Sequence, residues 1–291
     1  MKNIETPTYR KIRRRITSLK KIDLNMIELE NMISILQSSF TFPTHLWPQK
    51  GGGKTIFRAR INEDEVNHKY IYEPFIEVCK ISYNRNPRDY GRANINNKPM
   101  FYAANGLCPS VKEVCKSSLN EQNKVLFLTV GEWRLIQDIK VSIICNSNRT
   151  KKKGKELLIA YNALVNFIKP TISKSEFRIW KIKTKFFADE FAKKVDSGFE
   201  KQYMYSAIYS QLILNYKDDS LKADGIFYPS VAYDFDSYNV VYHKNLIDAG
   251  SVILEKAHHI KCTYVGKNLE PFCETIKIAK RIESNKTIIW D

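Results

Sequence analysis

Thr55-Ile56-Phe57-Arg58-Ala59-Arg60-Ile61 reads as a β-strand, because β-branched and aromatic residues dominate it and turn residues are absent. Strand alternation places Ile56, Arg58 and Arg60 on one face and Phe57, Ala59 and Ile61 on the other. Two arginines therefore point the same way. The strand also decides against a phosphate loop at Gly53-Lys54-Thr55. That motif needs glycine where Pro48 stands, and it must open a helix so that backbone N–H groups meet the phosphates.

Upstream, Ile22, Met26, Leu29, Ile33, Leu36 and Phe40 recur at alternating steps of four and three, which predicts one amphipathic helix. Phe42-Pro43 and Trp47-Pro48 end it, since a residue before proline leaves the helical region. Gly51-Gly52-Gly53 then forms a hinge. Downstream, Pro99 to Ala103 reads as a short strand, and Lys124 to Val130 as a second. Ser110 with Glu113 three positions on has the form of a capping box opening a helix. A helical block starts near Glu156, and Lys183–Lys194 and Phe199–Tyr216 carry helically spaced aromatics of the kind that fill a core. Strands resume at Gly225–Ser230 and Tyr238–Tyr242, and two β-like runs, Thr275–Ile282 and Thr287–Trp290, meet at Ser284-Asn285. Strands on both sides of a helical middle predict an α+β fold.

The 291 residues carry 47 Lys and Arg against 31 Asp and Glu, a net charge of +16, with 43% hydrophobic residues. That composition supports a packed core and excludes disorder and a coiled-coil rod. Residues 1–21 concentrate the charge, with Lys2, Arg10, Lys11, Arg13, Arg14, Arg15, Lys20 and Lys21 opposed only by Glu5. A second basic cluster, Arg149 to Glu156, reads as a solvated loop. The balance permits contact with nucleic acid, an acidic partner or a polyphosphate ligand, with nucleic acid not favoured over a merely basic surface. No apolar run is long enough for a membrane span, and the N-terminus lacks the apolar segment of a signal peptide, so a cytoplasmic protein without membrane contact is expected. Six cysteines form no CxxC pair, and His258, His259 and Cys262 alone make a poor zinc site, so reduced thiols and no metal are expected.

Chemistry-bearing residues then fall in a fixed order: Phe57-Arg58-Ala59-Arg60, Tyr90-Gly91-Arg92-Ala93-Asn94, Pro99-Met100-Phe101-Tyr102-Ala103-Ala104, Glu113, and Asp224 to Val231 containing Gly225-Ile226-Phe227-Tyr228-Pro229-Ser230. Tyr102 follows Arg92 by ten positions and Glu113 follows Tyr102 by eleven. The arrangement over roughly residues 55 to 250 resembles the RES domain family, with Ala93 standing where an aromatic is common. The resemblance implies an ADP-ribosyltransferase-like split β core with flanking helices, here preceded by the amphipathic helix. It implies an enzyme that takes NAD as substrate and cleaves its nicotinamide–ribose bond as a glycohydrolase or phosphorylase. Several members of the family look like toxins held silent by an antitoxin, the partner the resemblance suggests, while the basic amphipathic N-terminal segment offers a face to dock a regulatory protein or a second subunit as a homodimer. Carried over, the site comprises Arg58, Arg92, Tyr102, Glu113 and Ser230, with Asn94 and Arg60 as further NAD-binding residues. The expected organisation is a basic helical segment over 1–54, the catalytic domain over 55–250 and a β-rich extension over 251–291.

The chemistry is coherent in its own terms. Cleaving the bond to nicotinamide passes through an oxocarbenium-like state, which a carboxylate at the ribose hydroxyls stabilises. Glu113 fits that task, and Arg58 and Arg92 offer planar donors for two phosphates. Tyr102 can stack on the nicotinamide or ribose, and Ser230 can bond the carboxamide or hold Glu113. Each residue also has a plainer reading: Arg58 as an edge-strand charge, Arg92 and Asn94 as turn residues, Glu113 as a helix cap, Tyr102 as a strand aromatic, Ser230 as the end of a turn. Transfer of ADP-ribose to a macromolecule, and non-catalytic nucleic-acid binding, are the competing functions.

Overall fold

The computed structural model describes residues 8–40, 46–64, 69–115, 125–145, 150, 155–265 and 270–290. Phe42-Pro43, Lys124 and most of the basic cluster at 149–156 lie outside the described residues, as do Lys2 and Glu5. Along the chain the elements are α1 (Tyr9–Leu19), α2 (Leu29–Ser39), β1 (Trp47–Gln49), β2 (Thr55–Ile61), α3 (Val78–Ile81), β3 (Met100–Ala104), α4 (Leu107–Cys115), β4 (Val125–Leu135) and β5 (Ile139–Ile143). There follow α5 (Lys155–Ile168), α6 (Lys174–Phe191), α7 (Met204–Leu214), β6 (Gly225–Pro229), β7 (Tyr238–His243), α8 (Lys244–Asp248), β8 (Val252–Val265), β9 (Glu270–Ile278), β10 (Arg281–Ile282) and β11 (Ile288–Ile289). The class is α+β, as its sequence predicts.

Two units divide the chain: 1–47, 86–98 and 140–229 form a helical unit, and 48–85, 99–139 and 230–291 a sheet unit. Their segments interleave, so the consecutive divisions expected at residues 54 and 250 do not coincide with them.

The helical unit is built from amphipathic helices around an aromatic core. On α1, Ile12, Ile16 and Leu19 are buried at steps of four and three, and on α2 Met32 and Leu36 are buried together with Phe40 just beyond its end. The leading segment is thus two helices rather than the single one expected from Ile22 to Phe40. Ile22 and Met26 lie in the turn that separates them, and Met26 is 83% exposed. Phe40 packs on Phe186 and Phe187 of α6, and Phe187 packs on Tyr209 of α7. Ser173 and Glu176 form a reciprocal capping box that starts α6. A parallel pair completes this unit, with Val141, Ser142 and Ile143 of β5 beside Gly225, Ile226 and Phe227 of β6.

In the sheet unit six strands run antiparallel in the order β7-β3-β2-β4-β8-β9. β2 and β4 pair over seven residues, from Thr55 opposite Arg134 to Ile61 opposite Leu128. Between β2 and β3 the Cα partners are Phe57 and Ala104, so that ladder is short. α4 packs on one face: Val111 and Cys115 join Ala59, Leu126, Leu128, Val130, Ile260 and Cys262 in one cluster, with Phe57 and Ile61 against it. Sequence reading missed the long strand β8. The runs at the C-terminus divide into β9 and the small β10–β11 pair, whose turn places Lys286 at a φ of 65°.

Candidate active site

Glu113 projects from α4, a helix that starts directly after β3 and tolerates Pro109 in its first turn, where backbone N–H groups lack helical partners in any case. The expected cap does not form. Ser110 lies inside the helix, buried, and its hydroxyl donates to the Leu107 carbonyl at 2.7 Å. Glu113 is instead held from outside its helix. The Ser230 hydroxyl donates to Glu113 Oε1 at 2.6 Å, and Asn239 Nδ2 donates to the same oxygen at 2.7 Å. Ser230 is wholly buried and Asn239 is 4% exposed, whereas Glu113 is half-buried. Charge-assisted bonds of this length fix a carboxylate firmly.

The Ser230 loop is built for this contact. The Ser230 N–H donates to the Ser237 carbonyl at 2.9 Å, which ties the two ends of the loop together. Between them Asp234 and Phe235 adopt φ values of 48° and 63°, the left-handed region, uncommon for a residue as bulky as Phe. Ser230 Oγ accepts from the Tyr233 N–H at 3.1 Å while donating to Glu113. A hydroxyl has one proton, so Ser230 positions Glu113 and has none left for a second acceptor. Of the two roles foreseen for Ser230, this geometry provides the hold on Glu113.

Asn239 is the residue that sequence reasoning missed. It stands in β7, whose residues Tyr238 to Tyr242 are all buried, and it is their one polar side chain apart from tyrosine hydroxyls. An amide in an otherwise apolar buried strand is the signal that could have found it. Its Nδ2 serves Glu113, and its Oδ1 is a buried acceptor with no partner among the described residues. Register places Asn239 opposite Ala104 and Tyr102 opposite Val241, so Tyr102 and Asn239 share a face of the β3–β7 pair.

The arginines are placed differently. On β2, Arg58 and Arg60 alternate with Phe57, Ala59 and Ile61, which pack toward α4, so their side chains leave the strand on the side away from the helix bearing Glu113. Arg58 Nη1 donates to the Tyr102 carbonyl at 2.7 Å, its Nε donates to the Ser82 carbonyl, and its guanidinium lies over the Phe101 ring. Burial, with Arg60 nearby, pulls the Arg58 guanidinium down to about 10, so it stays charged at neutral pH. Arg60 Nη1 donates to the Lys80 carbonyl at 2.7 Å. Arg92 and Asn94 belong to the helical unit. Arg92 Nη1 donates to the Phe191 and Lys193 carbonyls, at 2.6 and 2.8 Å, and so caps the C-terminal end of α6, with the Tyr203 ring beneath it. Asn94 Nδ2 donates to the Asp89 carbonyl at 3.0 Å, closing the 89–94 segment on itself. The structure thus brings Glu113 and Ser230 together, adds Asn239, and employs Arg58, Arg60, Arg92 and Asn94 on backbone carbonyls.

Among the described residues, no group of three or more His, Cys, Asp or Glu side chains is placed to hold a metal ion. His258 and His259, adjacent on β8, face opposite ways: His258 meets Glu132 at 3.2 Å, while His259 is buried beside the rings of Tyr72 and Phe127. Among the described residues no helix is long and apolar enough to cross a membrane. No protein-family model, no curated protein and no solved structure matches the chain.

Proposed function

We propose that this protein consumes NAD by breaking the nicotinamide–ribose bond, with water or phosphate as the acceptor, on an ADP-ribosyltransferase-like core. The observation that carries the reading is the double anchoring of Glu113 Oε1 by Ser230 and Asn239. Both bonds fall on Oε1, so in this reading Oε2 is the oxygen that meets the ribose. A half-buried carboxylate fixed in this way suits an oxocarbenium-like transition state, because its charge and direction are set before positive charge develops on the ribose. Asn239 serves in this reading through its Nδ2, which fixes Glu113. Tyr102 is half-buried on the face shared with Asn239, which suits stacking on the ring that leaves. Arg58 and Arg60 act in this reading by holding backbone carbonyls of the sheet unit, Arg92 and Asn94 by holding those of the helical unit, and growth arrest through NAD loss is the expected cellular consequence.

The experiment is NAD depletion by the purified full chain, with nicotinamide and the ribose-side product identified with and without phosphate. Turnover that falls at least a hundredfold in Glu113→Gln, with the melting temperature unchanged, supports the reading, and the product names the acceptor. Label transferred to a macromolecule would move it to ADP-ribosyl transfer. Well-folded protein with no turnover, or turnover indifferent to Glu113→Gln, overturns it.

A further inference from the structure

α1 turns one face inward and presents the other as a basic groove. Burial of Ile12, Ile16 and Leu19 fixes the rotation of the helix, and the hydroxyl of Tyr205 on α7 donates to the Leu19 carbonyl at 2.5 Å, pinning its end. Arg10, Lys11, Arg14, Arg15 and Ser18 then line a cavity of about 580 Å³ whose far wall includes Ile35 and Ser39 of α2. Its lining contains four cations and no carboxylate, and α1 itself carries no acidic residue. Arg15 Nη1 is engaged with the Ser39 carbonyl at 3.2 Å, while Arg10, Lys11 and Arg14 are exposed. Like charges so close repel, and a folded protein keeps them together at a cost unless an anion is shared among them.

We propose that this groove binds the phosphodiester backbone of a single nucleic-acid strand. Arg10 and Arg14 stand one helical turn apart, about 6 Å along the axis at 1.5 Å per residue, so successive phosphates of an extended strand can each meet one of them. Arginine presents a planar fork to phosphate, and Thr8 and Ser18, also in the lining, supply hydroxyl donors. A concave cationic channel suits a flexible single strand, whose backbone can follow it. An acidic peptide shares the charge but carries its carboxylates on flexible side chains, without the regular spacing of a phosphodiester backbone.

The test is fluorescence anisotropy of short labelled oligo-U and oligo-dT with the full chain over a salt series. Arg10→Gln/Arg14→Gln, both exposed positions, is compared with Lys217→Gln/Lys256→Gln, which removes the same charge elsewhere. The groove variant is expected to lose at least tenfold in affinity, and its salt slope to fall by about 0.7 for each phosphate it no longer neutralises. The control is expected to change less than twofold. Binding of RNA, DNA or both supports the groove and tells which sugar it accepts. No binding by the unaltered protein, equal losses in the two variants, or displacement of the strand by polyglutamate of equal charge overturns it. None of these readouts depends on NAD turnover, so this inference and the enzymatic one fail separately.

Discussion

Ser230 Oγ donates to Glu113 Oε1 at 2.6 Å, joining two residues 117 positions apart, and the same hydroxyl accepts from the Tyr233 backbone. The bond is directional and loses its proton source in Ser230→Ala. On the proposed reaction, this variant is expected to lower kcat by ten- to a hundredfold with little change in KM, because it acts on the orientation of Glu113 rather than on substrate contact. Ser230→Thr, which keeps the hydroxyl, is expected to recover a measurable part of that loss. Steady-state NAD turnover of the two variants checks it.

Asn239 provides a sharper chemical contrast. Asn239→Asp removes the donor to Glu113 and sets a second carboxylate 2.7 Å from Oε1, where two like charges oppose one another. Asn239→Leu only removes the amide. Both are expected to lose activity, with the Asp variant also lowering the unfolding midpoint more at pH 8 than at pH 5, since protonation relieves the repulsion. Denaturant titrations at the two pH values decide it.

Arg92 caps α6 through two carbonyls, so its role is read in stability. Arg92→Ala leaves the Phe191 and Lys193 carbonyls without this donor inside a nearly closed environment and is expected to cost about 1–3 kcal/mol. Urea unfolding measures it. Arg58→Ala carries a similar penalty at the Tyr102 and Ser82 carbonyls, so loss of activity in that variant must be read beside its unfolding curve.

Two instances of one sequence pattern explain what was legible. Ser173 with Glu176 and Ser110 with Glu113 both present serine three positions before glutamate, and only the first pair becomes a capping box. α4 begins three residues before Ser110, directly off β3, so by the time the chain reaches Ser110 the helix has already started. Glu113 is then available to Ser230 and Asn239, a long-range contact that no local pattern encodes. The strand Thr55–Ile61 and its alternation were readable because one face must pack on α4. The consequence, that Arg58 and Arg60 leave β2 away from Glu113, needed the location of α4. β8 escaped notice because charged Glu255, Lys256 and Lys261 interrupt its apolar residues, and its pairing with β4 and β9 supplies the order that its composition does not.

His259 sets an acid limit on stability. Burial among Tyr72, Phe127 and Trp290 lowers its affinity for a proton, with Lys277 acting in the same direction and the Tyr72 backbone and Glu73 against it. The folded state therefore titrates below the unfolded value of about 6.5. Above that value both states are neutral and nothing is lost. As pH falls through 6.5 the unfolded chain takes up a proton that the folded chain refuses, so stability declines until the folded-state value is reached. Melting temperature against pH is expected to drop between pH 7 and 5, and His259→Phe to flatten that part of the curve.

Cys262 and Cys273 face each other directly across the β8–β9 ladder, and their thiols differ in what they show to solvent: Cys262 is buried and Cys273 is partly exposed. The hydrogen bond to Cys262, and then burial, push the Cys273 thiol far above the ordinary range. Since the thiolate is the nucleophile, exposure alone overstates its reactivity. Alkylation at pH 8 is expected to mark the exposed Cys108 before Cys273. Cys262→Ala removes the partner that holds the Cys273 proton and is expected to speed labelling of Cys273 severalfold, although the substituted position lies in the core beside α4. Mass spectrometry of timed labelling reads both rates, and unchanged Cys273 labelling in that variant would show that burial rather than the paired thiol controls it.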